Sequence, residues 1–286
     1  MAEILNGNVL KEEILEELTD RIKLSAEKYN RAPGLATFLI GDDEASKMYI
    51  RMKHKTCRRL GIFSLDVHLP IESTIEKIKE KIQELNNEDK IDGILLQLPL
   101  PMKIRKDLDN ILKFISPNKD VDGLTPNRIG LCMMGDETFA AATPKGMIKL
   151  LENAKIPIEG KEVVIINRTI VIGKPLAMMF LKRHGTVTVC HSRTKNLNFH
   201  MKRADILVSG TGNVNFVTAD KIKNGVVIID AGINKNAQGK LCGDVDFEGV
   251  KDKCYAITPV PGGIGPMTYA MLMENTYNSF LKRVAT

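Results

Sequence analysis

Short runs of apolar residues recur along this chain and alternate with stretches of helical periodicity. "GLATFLI" (Gly34–Ile40) and "DGILLQLPL" (Asp92–Leu100) lie in the first half, with the strand-like "FSLDVHL" between them. Val163–Ile166, Thr186–Cys190, Ile206–Ser209, Val226–Asp230 and Ala256–Thr258 follow in the second. A continuous apolar run of this length reads as a strand covered on both faces, as in a parallel sheet. Between the runs the spacing changes to that of helices, as at Ile14, Leu15, Leu18 and Ile22 within about Gly7–Tyr29. Further helices are expected over Ala45–Leu60, Thr74–Leu85 and Ile104–Phe114. Strands alternating with helices predict an α/β fold built on parallel sheets.

The pattern is interrupted once. "KDVDGLTPNRIG" reads as a loop, and "TPKGMIKLLENA" restarts a helix with Thr143 as N-cap and Pro144 at the first helical position. From Lys161 the alternation tightens into a smaller doubly wound, Rossmann-like unit. The last helix, Pro266 to about Lys282, is expected to return to the first domain. The expected division is residues 1–142 plus 266–286 for one α/β domain and 143–265 for the other.

The net charge is +6, but the lysines are scattered, tryptophan is absent and aromatics are 5%. A nucleic-acid binder would concentrate basic residues on one face with interleaved aromatics, so no nucleic-acid partner is expected. An anionic small molecule suits the charge. No apolar run reaches the ~20 residues of a membrane span, and the N-terminus is unlike a signal peptide. The five cysteines form no C-x-x-C pair and the histidines lack ligand spacing. A cytoplasmic protein without a metal is expected.

"VVIINRTIVIGKP", from Val163, looks like a strand entering a phosphate loop and a helix, yet its first glycine is Gly173. A G-x-G-x-x-G loop uses glycine for a tight turn and for close approach of backbone and helix. Here Asn167 stands first, and asparagine visits the left-handed region more readily than most residues. Thr169 offers a hydroxyl, Gly173 the close approach, and Pro175 suits a first helical turn. NAD sites place an acid about 20 residues on, but no acid occurs between Thr186 and Ala204. Ser192, Arg193 and Lys195 stand there, with Arg168 in the earlier loop, which suits a 2′-phosphate and hence NADP. A plain strand–loop–helix connection with a solvated basic turn is the competing reading. "VSGTGN" (Val208–Asn213) and "IDAGIN" (Ile229–Asn234) end later strands, where such sheets bind ligand.

In the first half, Tyr49 and Lys53 lie four apart on one helical face. A partly desolvated lysine can have a lowered pKa and exchange protons. Gln97 interrupts an apolar run and must find hydrogen-bond partners. Asp120 and Asp122 share a loop, and "TPVPGGIGPMT" opens the last helix. Taken singly these are ordinary surface pairs, core amides and rigid turns.

Taken in order they are specific. "GDDEASKMYIRMKHKTCRRLGI", "GILLQLPLP", "KDVDGL", "TPKG" and "ITPVPGGIGPMT" together resemble the bifunctional methylenetetrahydrofolate dehydrogenase/methenyltetrahydrofolate cyclohydrolase family over nearly the whole chain. The resemblance implies a folate-binding catalytic domain followed by an NADP-binding Rossmann-like domain, with a folate cleft between them and usually a homodimer. It implies tetrahydrofolate one-carbon derivatives as substrates, polyglutamylated forms included. Tyr49 would stack on the aminobenzoyl ring, Lys53 would be the catalytic lysine, Gln97 would tune it, and Asp122 would bind the pterin. Leu96 and Leu98 would flank Gln97 in the substrate site. The loop from Pro261 to Ala270 would complete it, with Pro261, Gly262, Gly263, Ile264, Gly265, Pro266, Met267 and Thr268 as substrate contacts. Asn167, Arg168, Thr169, Gly173, Ser192, Arg193 and Ile233 would hold the dinucleotide. The family usually has Gly and Ser where Asn167 and Thr169 stand, often Pro at Glu44, and Cys at Ala142. Alternatives are a monofunctional member, a shikimate-dehydrogenase-like enzyme, or a non-enzymatic NADP-binding regulator.

Overall fold

The computed structural model describes residues 2–285. Along the chain run β1 (Glu3–Ile4), α1 (Gly7–Tyr29), β2 (Gly34–Ile40), α2 (Glu44–Leu60), β3 (Phe63–Leu69), α3 (Ile75–Asn87) and β4 (Gly93–Leu96). A 3₁₀ turn (Met102–Asp107) leads into α4 (Leu108–Leu112), then α5 (Pro126–Met133) and α6 (Ala142–Asn153). β5 (Glu162–Ile166), α7 (Gly173–Lys182), β6 (Thr186–Cys190), α8 (Leu197–Arg203), β7 (Ile206–Ser209) and β8 (Val226–Asp230) follow. The chain ends with β9 (Asn234–Lys235), β10 (Leu241–Cys242), α9 (Phe247–Val250), β11 (Cys254–Ile257) and α10 (Ile264–Val284).

These elements form two compact units. One comprises Glu13–Leu131, Thr138–Ala142 and the chain from Tyr269 on. Its sheet is parallel, in the order β3-β2-β4. Every residue of β2 is buried, as expected for a central parallel strand covered on both faces. α10 returns to this unit, as the sequence predicts. The Tyr277 hydroxyl lies 2.8 Å from that of Ser25 on α1, and Asn275 donates to the Val121 and Ala140 carbonyls. Near its end, Arg283 reaches the fully buried Asp92, which Arg31 also grips with two hydrogen bonds of 2.7 and 2.9 Å.

The other unit comprises the chain up to Glu12, Cys132–Glu137 and Thr143–Thr268. Its six-stranded parallel sheet has the order β1-β11-β8-β7-β5-β6. The chain runs from β5 outward to β6, then crosses back to place β7 on the other side of β5. That reversal creates a topological switch point beside the carboxyl end of β5, the usual ligand position of such sheets. β1 joins this sheet through β11, and Gly7 packs so closely that a Cβ there would lie 1.9 Å from the Gly263 carbonyl oxygen.

Several local expectations need correction. The expected strand Asp92–Leu100 stops at Leu96, because Pro99 and Pro101 cannot donate to a ladder. The helix expected over Ile104–Phe114 is a 3₁₀ turn followed by the short α4. Thr143 is not an N-cap, since α6 already begins at Ala142, and its hydroxyl lies 3.1 Å from that of Thr268. The same Thr-Pro signal operates at Thr125–Pro126 instead. There the Thr125 hydroxyl accepts from the Arg128 amide and α5 begins at Pro126, inside what reads as a loop.

Candidate functional site

On α2, Ser46, Ile50, Cys57 and Leu60 are buried. Their spacing marks the face turned to the core. Lys53 falls in the middle of that stripe, where an apolar residue is the norm. The helix is fixed at both ends. Asp43 caps its start by accepting from the Ser46 amide at 2.8 Å, and Gly61 ends it in the left-handed region at φ 72°.

Lys53 Nζ donates to Gln97 Oε1 at 2.7 Å. Gln97, only 7% exposed, follows directly after β4, and its Nε2 donates to the Leu98 carbonyl at 2.7 Å. Both ends of the buried amide are therefore satisfied, and its oxygen is committed to the lysine. Burial pulls the Lys53 pKa down to about 8, against the opposing pull of the Asp122 charge. Burial likewise pushes Asp122 up to about 6, with Lys53 lowering it and Asp120 raising it. The two acids of "DVDGL" thus separate. Asp120 accepts from the Gly123 and Thr125 amides at 2.8 and 2.7 Å and fixes the turn. Asp122 acts electrostatically on the lysine.

Tyr49 lies one turn before Lys53 and is half-buried. Close to this group stands Tyr269, which lies within the Pro261–Ala270 loop expected to complete the folate site. Its hydroxyl donates to Met52 Sδ at 3.9 Å, and burial, with the Tyr49 phenol adding to it, pushes it up to about 12. Tyr49, Lys53, Leu96, Gln97, Leu98 and Asp122 all belong to the unit that begins at Glu13, whereas Pro261–Thr268 belongs to the other.

In that other unit the loop after β5 is held by one side chain. Asn167 Oδ1 accepts from the Thr169 amide at 2.9 Å, the Thr169 hydroxyl at 2.8 Å and the Gly173 amide at 3.1 Å. Its Nδ2 donates to the Gly210 carbonyl at 2.7 Å, joining the loops after β5 and β7 at the switch point. Asn167 is not among the residues with positive φ, so the left-handed turn expected of it is not formed. Its amide staples the loop, a task that a backbone glycine cannot perform. The Thr169 hydroxyl is likewise engaged inside the loop, donating to Asn167 and accepting from the Ile172 amide at 3.2 Å. Gly173 makes the expected close approach, for a Cβ there would lie 1.9 Å from the Asn167 carbonyl oxygen.

After β6, the His191 amide donates to the Thr194 hydroxyl and the Arg193 amide to His191 Nδ1. This tight turn leaves Ser192 and Arg193 exposed, and Arg168 and Ile233 are exposed too. Exposed basic and hydroxyl groups at the end of β6, with no acid among them, fit a phosphorylated dinucleotide. Among the described residues, no group of three or more His, Cys, Asp or Glu could hold a metal, and no helix is long and apolar enough to cross a membrane.

Fold and site together define a class: a two-domain α/β protein in which one unit carries a desolvated lysine and the other a dinucleotide-type loop. Comparison with known proteins is specific. The catalytic-domain model of tetrahydrofolate dehydrogenase/cyclohydrolase matches residues 5–122, and its NAD(P)-binding-domain model matches residues 141–284. A curated relative from Methanoculleus marisnigri, "Bifunctional protein FolD", is 47% identical, covering 96% of this chain and 95% of its own. The crystal structure of the bifunctional FolD methylenetetrahydrofolate dehydrogenase/cyclohydrolase from Campylobacter jejuni has a TM-score of 0.95 at 42% identity, over 99% of this chain and 100% of that one. A Trypanosoma brucei FolD complexed with NADP cofactor and inhibitor gives 0.94 at 33% identity, over 100% and 99%. The chain belongs to the tetrahydrofolate dehydrogenase/cyclohydrolase family.

Proposed function

We propose that this chain oxidises 5,10-methylenetetrahydrofolate to the methenyl form with NADP⁺ and then hydrolyses that product to 10-formyltetrahydrofolate. The observation that carries the reading is Lys53: a lysine in the buried stripe of α2, committed to Gln97 and with its pKa lowered to about 8. A lysine so placed has a neutral fraction near physiological pH and can serve as a base.

In the hydrolytic step, Lys53 accepts a proton as water adds to the cationic methenyl carbon. A nearby substrate cation disfavours the charged lysine further, because like charges raise the cost of protonation. Gln97 orients the amine without adding charge. Proton transfer to the departing ring nitrogen then opens the ring and leaves the formyl group on the other nitrogen, with one proton released overall. Tyr49 offers an aromatic platform, Asp122 a hydrogen-bond partner for the pterin, and Leu96, Leu98 and Pro261–Thr268 the remaining substrate contacts. In the oxidative step the residues contribute alignment. NADP⁺ supplies the hydride acceptor. Arg168, Ser192 and Arg193 suit its phosphates, Ile233 an apolar face of it, and the Asn167–Gly173 loop its pyrophosphate.

The working division is residues 1–142 plus 266–286 for folate and 143–265 for the dinucleotide. The N-terminal residues of the first segment carry β1, which pairs in the second unit's sheet. A homodimer, cytoplasmic location and use of polyglutamylated folates follow from the resemblance. The five unpaired cysteines suit a reducing compartment.

One absorbance experiment tests the reading. The purified chain is given 5,10-methylenetetrahydrofolate with NADP⁺ or NAD⁺, and decay of added methenyl substrate is followed separately. Reduction of NADP⁺ together with accelerated methenyl decay is the expected result. Failure of either activity reduces the protein to a monofunctional member, and failure of both overturns the proposal.

A further inference from the structure

Asp244 has no place in the chemistry above, yet no carboxylate in the dinucleotide unit is more heavily engaged. It is fully buried. Its Oδ2 accepts from the Ser209 hydroxyl at 2.9 Å, the Thr211 hydroxyl at 2.9 Å and the Thr211 amide. Its Oδ1 accepts from the Gly212 and Asn213 amides at 3.1 and 3.2 Å and from Asn234 Nδ2 at 2.9 Å. Six donors from two strand-end loops converge on one side chain, more than local turn geometry needs.

The second loop meets it through one of those hydrogen bonds, from Asn234, and through close packing. Gly232 packs so closely that a Cβ there would lie 2.3 Å from Asp244 Oδ1. Asp230 accepts from the Gly232, Asp244 and Val245 amides at 2.8, 3.0 and 2.9 Å, so its carboxylate ties the backbone of Asp244 to that of the 230–234 loop. Between Gly232 and Asn234 stands Ile233, 65% exposed. Of its chain neighbours, Asn234 donates to Asp244 and Gly232 packs against Asp244 while donating its amide to Asp230; its own side chain is exposed. On the other side, Asn167 joins the same group of loops through the Gly210 carbonyl. The loops after β5, β7 and β8 are thus one hydrogen-bonded platform at the carboxyl edge of the sheet.

We propose that Asp244 is the positioning residue of this platform, setting the 209–213 and 230–234 loops so that Ile233 is presented to the dinucleotide. The inference rests on the dinucleotide reading of this unit and adds a residue to it. Preorganised loops bind a ligand without first being ordered, so loosening them weakens affinity more than it alters the bound geometry. Asp244→Asn keeps the volume but turns an NH₂ onto buried donors, leaving some of them without an acceptor.

The test measures NADP⁺ dissociation constants by calorimetry, NADP⁺ KM and kcat in the dehydrogenase assay, and methenyl hydrolysis without dinucleotide. In Asp244→Asn, Kd and KM for NADP⁺ are expected to rise about tenfold or more, with kcat at saturating NADP⁺ and methenyl hydrolysis within about twofold of wild type. Asn234→Ala removes one donor and is expected to weaken NADP⁺ about threefold. It carries the test if Asp244→Asn does not fold. Unchanged NADP⁺ affinity in the folded variant overturns the inference. So does a parallel loss of hydrolysis and NADP⁺ affinity, which marks a general structural role. If the wild-type chain does not bind NADP⁺, the dinucleotide reading falls, and this inference falls with it.

Discussion

The two units solve different physical problems. Around Lys53 titratable groups are desolvated, and the lysine's proton becomes exchangeable near neutral pH. Around Asn167 and Asp244 polar side chains are saturated with hydrogen bonds, so that loops hold their shape. In the first region burial changes a pKa. In the second, burial raises Asp230 to about 6 as well, but the hydrogen bonds fix geometry, and the proposed binding surface is what the saturated groups leave exposed. The proposed catalytic lysine and the proposed binding platform therefore carry opposite signatures: few hydrogen-bond partners around Lys53, many around Asp244.

The strongest way to break this contrast is Lys53→Met, which keeps the volume of the side chain and removes its proton chemistry. Cyclohydrolase activity is expected to fall by about a hundredfold or more, while folate binding stays measurable. Near-normal hydrolysis, after subtraction of the spontaneous rate, would contradict the assignment. In the other region Arg193→Ala is expected to raise the NADP⁺ KM about tenfold and leave the NAD⁺ value nearly unchanged. Equal changes would mean that Arg193 does not sense the 2′-phosphate.

Asn167→Gly sharpens the comparison, since it installs the residue usual in the family. If the side-chain staple matters, NADP⁺ affinity should weaken by about three- to tenfold, as several loop hydrogen bonds are lost and glycine adds flexibility. Tighter binding would show that glycine serves this loop better than the staple does. The smallest expected effect is a displaced pH profile. Lys53 is neutral above about 8, so the hydrolytic rate should rise with pH through that region. Because the Asp122 charge raises the Lys53 pKa, Asp122→Asn should move this limb to lower pH. A shift to higher pH, measured on the corrected rate, would reverse the inferred sign. Burial of Lys53 disfavours its charged form, so below about 8 it costs stability, and that cost fades between there and the ordinary lysine value of 10.5.

Much of this was legible in the residues. Continuous apolar runs such as Gly34–Ile40 and Val226–Asp230 can be satisfied only by strands covered on both faces, and both are strands with every residue buried. The stripe Ser46, Ile50, Lys53, Cys57 and Leu60 even marks the lysine, because a charged residue stands where the periodicity demands an apolar one. Asp244 was not legible. It sits in an ordinary Gly-Asp turn, 31 to 35 residues from its donors in the 209–213 loop.

Periodicity and turn chemistry act over a few residues, so the residues alone announce the α/β class, the main alternating strands and the motifs that place the chain in its family. Which aspartate of Asp120 and Asp122 caps a turn, and which acts on the lysine, emerges from the fold. It alone assigned Asn167 to stapling and Asp244 to the platform. The physical reason is range: a desolvated charge or a saturated carboxylate is defined by groups that the fold, and not the chain, makes neighbours.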